Sequence, residues 1–177
     1  MKEVVAHREE HRGRVYELSL NFDDAALADG GFSVSAQVQT WTLDRSDDKQ
    51  YVSAEVTIAP DDEGRPKLTV TLLGNAIGVE GKQAVFEKPL SEFIDADQIL
   101  DWIPAWLFTG DPMTGCMVRS GLSSIVGQLL DCKKSTSEFP WYWPRMSSLG
   151  RCMLAHVPEM TKTAALRAGK CIWRFGF

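Results

Sequence analysis

Three constellations in this 177-residue chain combine residue types and spacings that could do chemistry. His7-Arg8-Glu9-Glu10-His11 matches the letters H-x-x-E-H, in which two histidines one helical turn apart bind zinc and the glutamate activates water. That chemistry needs a long, anchored helix and a distant third ligand. Here the letters sit in a charged N-terminal stretch just before Gly13, so they read as a solvated segment. Cys152 and His156, with Cys116 and Cys132, have the composition of a Cys₃His zinc site or of a Cys/His nucleophile pair. The gaps of 16, 20 and 19 positions and the lack of C-x-x-C argue instead for reduced, buried thiols. No metal and no cofactor is expected.

The third constellation is the basic, aromatic C-terminal region. If Glu159–Phe175 forms one helix, Arg167, Lys170 and Arg174 fall at i, i+3 and i+7 and share a face, with Trp173 beside Lys170. Lys133, Lys134, Arg145 and Arg151 add positive charge, and Trp141, Tyr142 and Trp143 offer flat surfaces. Phosphate neutralisation plus base stacking is the chemistry of a nucleic-acid binder. The competing assignment pairs the stripe with acids elsewhere in the chain and sends the aromatics to the core. Arg119 is the only formal charge between Asp111 and Asp131. On a helix it aligns with Gly115, Ser123 and Gly127, a small-residue row with one guanidinium for a carboxylate or phosphate, unless it pairs with Asp111 or Asp131. Phosphate-loop and dinucleotide fingerprints are absent, and Asp61-Asp62-Glu63-Gly64 lacks the alternating ligands of a calcium loop, which leaves a hairpin turn.

The elements that must position these residues divide the chain in two. Arg14–Phe22, Val34–Val38, Tyr51–Ala59 and Lys67–Leu73 each alternate apolar with polar side chains, as half-buried strands do, and Gln83–Glu87 adds a shorter one. Segments rich in Gly, Asp and Pro separate them, among them DRSDDK and APDDEGRP, which is the turn chemistry of an antiparallel meander. After Pro89 the period changes to 3.6. Asp111-Pro112 reads as N-cap and first position of a helix whose buried face holds Val118, Leu122, Ile125, Val126 and Leu129. Two further helices over 146–156 and 159–170 follow the aromatic loop FPWYWPR, and the tail CIWRFGF either extends the last of them or returns as a strand. The expected fold is α+β in a single domain, 1–177: a sheet of four or five strands from residues 14–88, in an acidic half spanning 1–89, covered by helices of a basic, aromatic-rich half spanning 90–177.

Composition agrees with a folded domain: 44% of residues are hydrophobic and 24% charged, which excludes disorder and collagen-like repeats. The first residues carry no apolar stretch of a secretory signal, and 113–130 is too polar to cross a bilayer, so a cytoplasmic protein without a membrane role is expected. The net charge of −5 conceals a balance of −10 over residues 1–101 and +5 over 102–177. That split predicts a noncatalytic regulator or inhibitor, docking on a protein or nucleoprotein partner through Asp44, Asp47, Asp48, Asp61, Asp62 and Glu63 at hairpin tips. A nucleic-acid binder using the basic half is the alternative. An enzyme whose groups meet only in space, His156 and Cys152 among them, is the third reading.

Overall fold

Alternation of apolar and polar residues makes a sheet with one buried and one wet face, and strands joined by short turns pair with their sequence neighbours. In the computed structural model, which describes residues 2–23, 31–74, 81–92, 95, 97–101, 112–135 and 143–175, with backbone alone at 45–48, 81–86, 143–147 and 174–175, this logic gives six antiparallel strands. They are β1 (Lys2–His11), β2 (Arg14–Asp23), β3 (Phe32–Thr42), β4 (Arg45–Pro60), β5 (Pro66–Gly74) and β6 (Gly81–Pro89), in that spatial order. The α+β expectation holds, with six strands in place of four or five.

The added strand is β1, where a solvated segment was expected. Arg12 and Gly13 both have positive φ, 51° and 77°, and form the two-residue turn that folds β1 back on β2. Hairpin turns of this kind need the left-handed conformation at both central positions. A register shift between Val5 and His7 places a bulge in β1, and polar His7 and Glu9 pair with Leu18 and Tyr16 of the buried face. Bulges and inward-pointing polar groups are devices by which edge strands avoid pairing with other chains. They also hide the strand from a period-2 reading.

Across the sheet the buried rows are regular. Leu20, Ala36, Ala54 and Leu72 pair in succession, as do Phe22, Val34, Val56 and Val70, and all eight are buried. The alanines at the centre of the first row make a shallow trough. Into it lies the longest helix, α2 (Pro112–Ser135), which follows a 3-10 turn at Leu90–Glu92 and the short α1 (Asp97–Leu100). Gly121 of α2 sits so close that a methyl added to it would meet the Ala36 Cβ at 2.6 Å and a Leu18 methyl at 3.0 Å. The close approach thus falls at Gly121, whereas Gly127 of the predicted small-residue row faces open space.

Three helices complete the second layer: α3 (Trp143–Ala155), α4 (Val157–Gly169) and α5 (Cys171–Phe175). Helix α4 packs on both α2 and β1, so α2 is enclosed on most of its circumference, with Met117, Val118, Leu122, Ile125, Val126 and Leu129 fully buried. One apolar cluster includes residues of both halves. At about 1.5–3 kcal/mol for each large apolar side chain removed from water, this cluster is the main stabilising contribution.

The cysteines correct the expectation of free thiols. Cys116 bonds to Cys171 and Cys132 to Cys152, each with a Cα–Cα distance of 5.8 Å, and no free cysteine is left. Sequence spacing alone allowed three pairings. Helix α2 selects one, because it runs beside both α3 and α5 and carries a cysteine near each of its ends. The described residues contain no helix long and apolar enough to cross a membrane.

Candidate anion-binding cleft

Residues 116, 119, 120 and 123 recur at steps of three and four and therefore form one stripe on α2. Arg167 and Lys170, three positions apart, stand at the end of α4. Through Phe175 the tail continues as helix and not as a strand, but with a break: α4 ends at Gly169 and Lys170 joins it to α5, its backbone N–H donating to the Arg167 carbonyl at 3.2 Å. Between the two stripes opens a cleft of about 320 Å³ lined by Cys116, Arg119, Ser120, Ser123, Arg167 and Lys170. The Cys116–Cys171 disulfide closes one wall, tying α2 to α5 directly beyond Lys170.

Two of the three cations of the cleft are held by neutral groups. Arg119 is half-buried and donates from Nη1 to the Leu100 carbonyl at the end of α1, at 3.0 Å. Arg167 donates from Nη1 to the Ser123 hydroxyl. The Lys170 side chain is exposed. Ser120 Oγ donates to the Cys116 carbonyl at 2.8 Å, and the hydroxyl lies 3.6 Å from Cys171 Sγ. Among the described residues no carboxylate lines the cleft and none of the three cations joins an ion pair; the Arg and Lys ion pairs among them are Arg8–Glu17, Arg65–Glu63 and Lys67–Glu87. Three like charges in one small concavity repel one another, and an oxyanion removes that repulsion while accepting their N–H groups.

The predicted acidic site residues lie elsewhere and apart. Asp44 is exposed in the two-residue turn joining β3 to β4, and Asp47 and Asp48 belong to β4, which begins before the DRSDDK segment ends. Asp61, Asp62 and Glu63 occupy the opposite end, in the turn to β5. At about 3.3 Å per residue, Asp48 and Asp61 are separated by roughly 43 Å along β4. Asp61 organises its own turn, accepting the backbone N–H groups of Glu63 and Arg65 at 2.9 Å each. Of the basic residues, Lys133 and Lys134 stand in the last turn of α2, some four turns beyond Arg119, and Arg151 is exposed on α3. Trp141 and Tyr142 lie outside the described residues, as do the side chains of Trp143, Arg145 and Arg174. Trp173 is 74% exposed on α5.

Two motifs change character. His7 and His11 are on a strand, so four positions separate them by roughly 13 Å rather than by one helical turn. His7 Nε2 instead meets Glu9 Oε2 at 2.8 Å. Cys132, Cys152 and His156 do converge, with donor atoms within 4.8 Å of one another. In the disulfide, however, neither sulfur is the thiolate a metal needs. His156 Nδ1 is also committed, donating its proton to the Cys152 carbonyl at 2.7 Å.

Sequence reasoning identified Arg119, Ser123, Arg167 and Lys170 separately. It missed Ser120 and the disulfide wall, although the i, i+3, i+4, i+7 pattern from Cys116 was available. Comparison with protein-family models, with curated proteins and with solved structures finds no match.

Proposed function

We propose that this chain is a noncatalytic binding protein that takes an oxyanion, a phosphoryl group in first place, into the cleft between α2 and α4. The observation that carries the reading is the convergence of Arg119, Arg167 and Lys170, with no carboxylate among the described lining residues, in a protein whose net charge is −5. Guanidinium forks present N–H pairs at the spacing of phosphate oxygens, and Lys170 adds a mobile point charge. The volume suits a small phosphorylated molecule or one terminal group of a larger one.

The same geometry weighs against the macromolecular readings. Docking through Asp44, Asp47, Asp48, Asp61, Asp62 and Glu63 would use two clusters at opposite ends of β4, and a nucleic-acid backbone would need the cleft and the Lys133–Lys134 end of α2 to act as one surface. Compartment follows the cysteines: two disulfides favour an oxidising environment over the cytoplasm expected from the first residues.

Calorimetric titration with inorganic phosphate, acetate and a short single-stranded oligonucleotide tests the proposal. Saturable phosphate binding that Lys170→Glu abolishes is the expected result, with acetate weaker because it carries one charge. Phosphate binding unchanged in Lys170→Glu, or none at high millimolar phosphate, rejects the cleft. Oligonucleotide binding that is tighter than phosphate and depends on Lys133 and Lys134 transfers the function to the nucleic-acid reading.

A further inference from the structure

The second disulfide has a polar environment that a purely structural crosslink does not require. Cys132 is fully buried in the last turn of α2, whereas Cys152 on α3 is half-buried, so Cys152 is the member of the pair with surface open to an incoming thiolate. Around the pair stand three polar groups from three different turns. Gln128 Nε2 donates to Cys132 Sγ at 3.5 Å, the Ser135 hydroxyl is 3.8 Å from Cys152 Sγ, and His156 Nδ1 is 3.7 Å from the same sulfur. His156 occupies the junction of α3 and α4, and its ring reaches back one turn over α3. Because Nδ1 donates to the Cys152 carbonyl, it carries a proton, and a small turn of the ring shifts that one N–H from the carbonyl toward a thiolate at Cys152, 3.7 Å away.

We infer that Cys132–Cys152 is a reversible thiol–disulfide exchange site, with Cys152 the sulfur that is attacked and Cys132 the one that leaves and returns. The co-reactant is a protein or small-molecule dithiol. Its first thiolate attacks Cys152 Sγ, forming a mixed disulfide and breaking the Cys152–Cys132 bond, and the electron pair leaves on Cys132, where Gln128 donates to it. The second thiolate of the dithiol then attacks the co-reactant's own sulfur. This completes the co-reactant's disulfide and releases Cys152 as a thiolate held by the His156 N–H. The co-reactant loses two electrons and the cysteine pair gains them; in reverse, the Cys152 thiolate attacks a disulfide and Cys132 resolves it. The Cys116–Cys171 disulfide, on the wall of the cleft, differs in its nearest groups: the Ser120 hydroxyl lies 3.6 Å from Cys171 Sγ, and no imidazole or amide is placed on it among the described residues. The site is independent of the anion cleft.

The test uses the full chain in a series of reduced and oxidised glutathione, quenched with iodoacetamide and mapped by peptide mass. Cys132 and Cys152 are expected to open while Cys116–Cys171 stays closed, with glutathione on Cys152 and not on Cys132. Opening of Cys116–Cys171 first, joint opening of both pairs, or glutathione on Cys132 overturns the inference. A second measurement follows the reaction of the reduced pair with glutathione disulfide. His156→Ala is expected to slow it several-fold, since the Cys152 thiolate loses its N–H donor, an effect partly offset by the greater nucleophilicity of a more basic thiolate. His156→Asn retains an N–H near the Nδ1 position and restores the rate. Equal rates in the wild type and His156→Ala remove the role of His156, and failure of His156→Asn to rescue removes the hydrogen bond as its cause.

Discussion

Replacing Gly121 with alanine inserts one methyl between α2 and the centre of the sheet, and its cost can be worked from distances. The new Cβ would lie 2.6 Å from the Ala36 Cβ, against an ordinary carbon–carbon contact of about 3.5–4.0 Å, so helix and sheet must separate by roughly 1 Å. Ala36 has no rotamer into which to retreat. Overpacking of this kind costs about 1–3 kcal/mol, and the rigidity of both backbones places it near the upper end. Alanine's better helix propensity returns about 1 kcal/mol. The net destabilisation expected is therefore ~2 kcal/mol, or a fall in Tm of about 4–8 °C for a chain of this length. Gly127→Ala on the same helix is the control, because its methyl meets nothing within 4 Å. There the propensity gain stands alone and Tm should rise by about 2–4 °C. Differential scanning calorimetry of the two variants, with Ala36→Gly added to Gly121→Ala to reopen the space, measures the contact. If Gly121→Ala and Gly127→Ala shift Tm alike, or if Ala36→Gly fails to relieve the first, α2 does not lie in the trough as described.

Other outcomes follow from the same contacts. Inorganic phosphate at a hundred times its Kd should stabilise the wild type by about 2.7 kcal/mol, a Tm rise of roughly 5–10 °C that Lys170→Glu removes, read by thermal denaturation. By the chain-entropy relation, removing Cys116–Cys171 with its 55-residue separation should cost about 4 kcal/mol and removing Cys132–Cys152 with 20 about 3 kcal/mol, measured by urea unfolding of paired Cys→Ser variants. Asp61→Ala leaves two turn N–H groups to water at an exposed site and should cost about 1 kcal/mol in the same assay, without altering phosphate affinity.

The strands from Arg14 to Gly74 were legible because each alternates cleanly, and α2 because Pro112 and its apolar spacing agree. Strand β1 was illegible for a physical reason: as an edge it carries His7 and Glu9 on the face where an interior strand would carry Leu or Val. Strand β4 was read short because Arg45–Gln50 is composed like a turn; the strand runs through it, with Arg45 paired to Thr42 and a register shift before Gln50 pairs with Thr40. The cleft was half-legible. Arg119 with Ser123 and Arg167 with Lys170 follow from helical spacing within each segment, but their meeting depends on how α4 packs on α2. Tertiary placement likewise decided the cysteines, which are separated by 16 to 20 positions in sequence and brought together by α2.

Both disulfides begin on α2 and end in the last two-fifths of the chain, one loop nested in the other, and no crosslink reaches the sheet. The molecule is therefore covalently asymmetric. A single peptide-bond cut after Glu92 and before Pro112 would leave two fragments with no covalent link between them, held together by noncovalent contacts such as the packing of α2 and α4 on the strands. A cut between Ser135 and Trp143 would leave one molecule until a reductant is added. The helical layer can thus survive proteolysis as a bonded unit, while the sheet is tied to it covalently by the main chain alone.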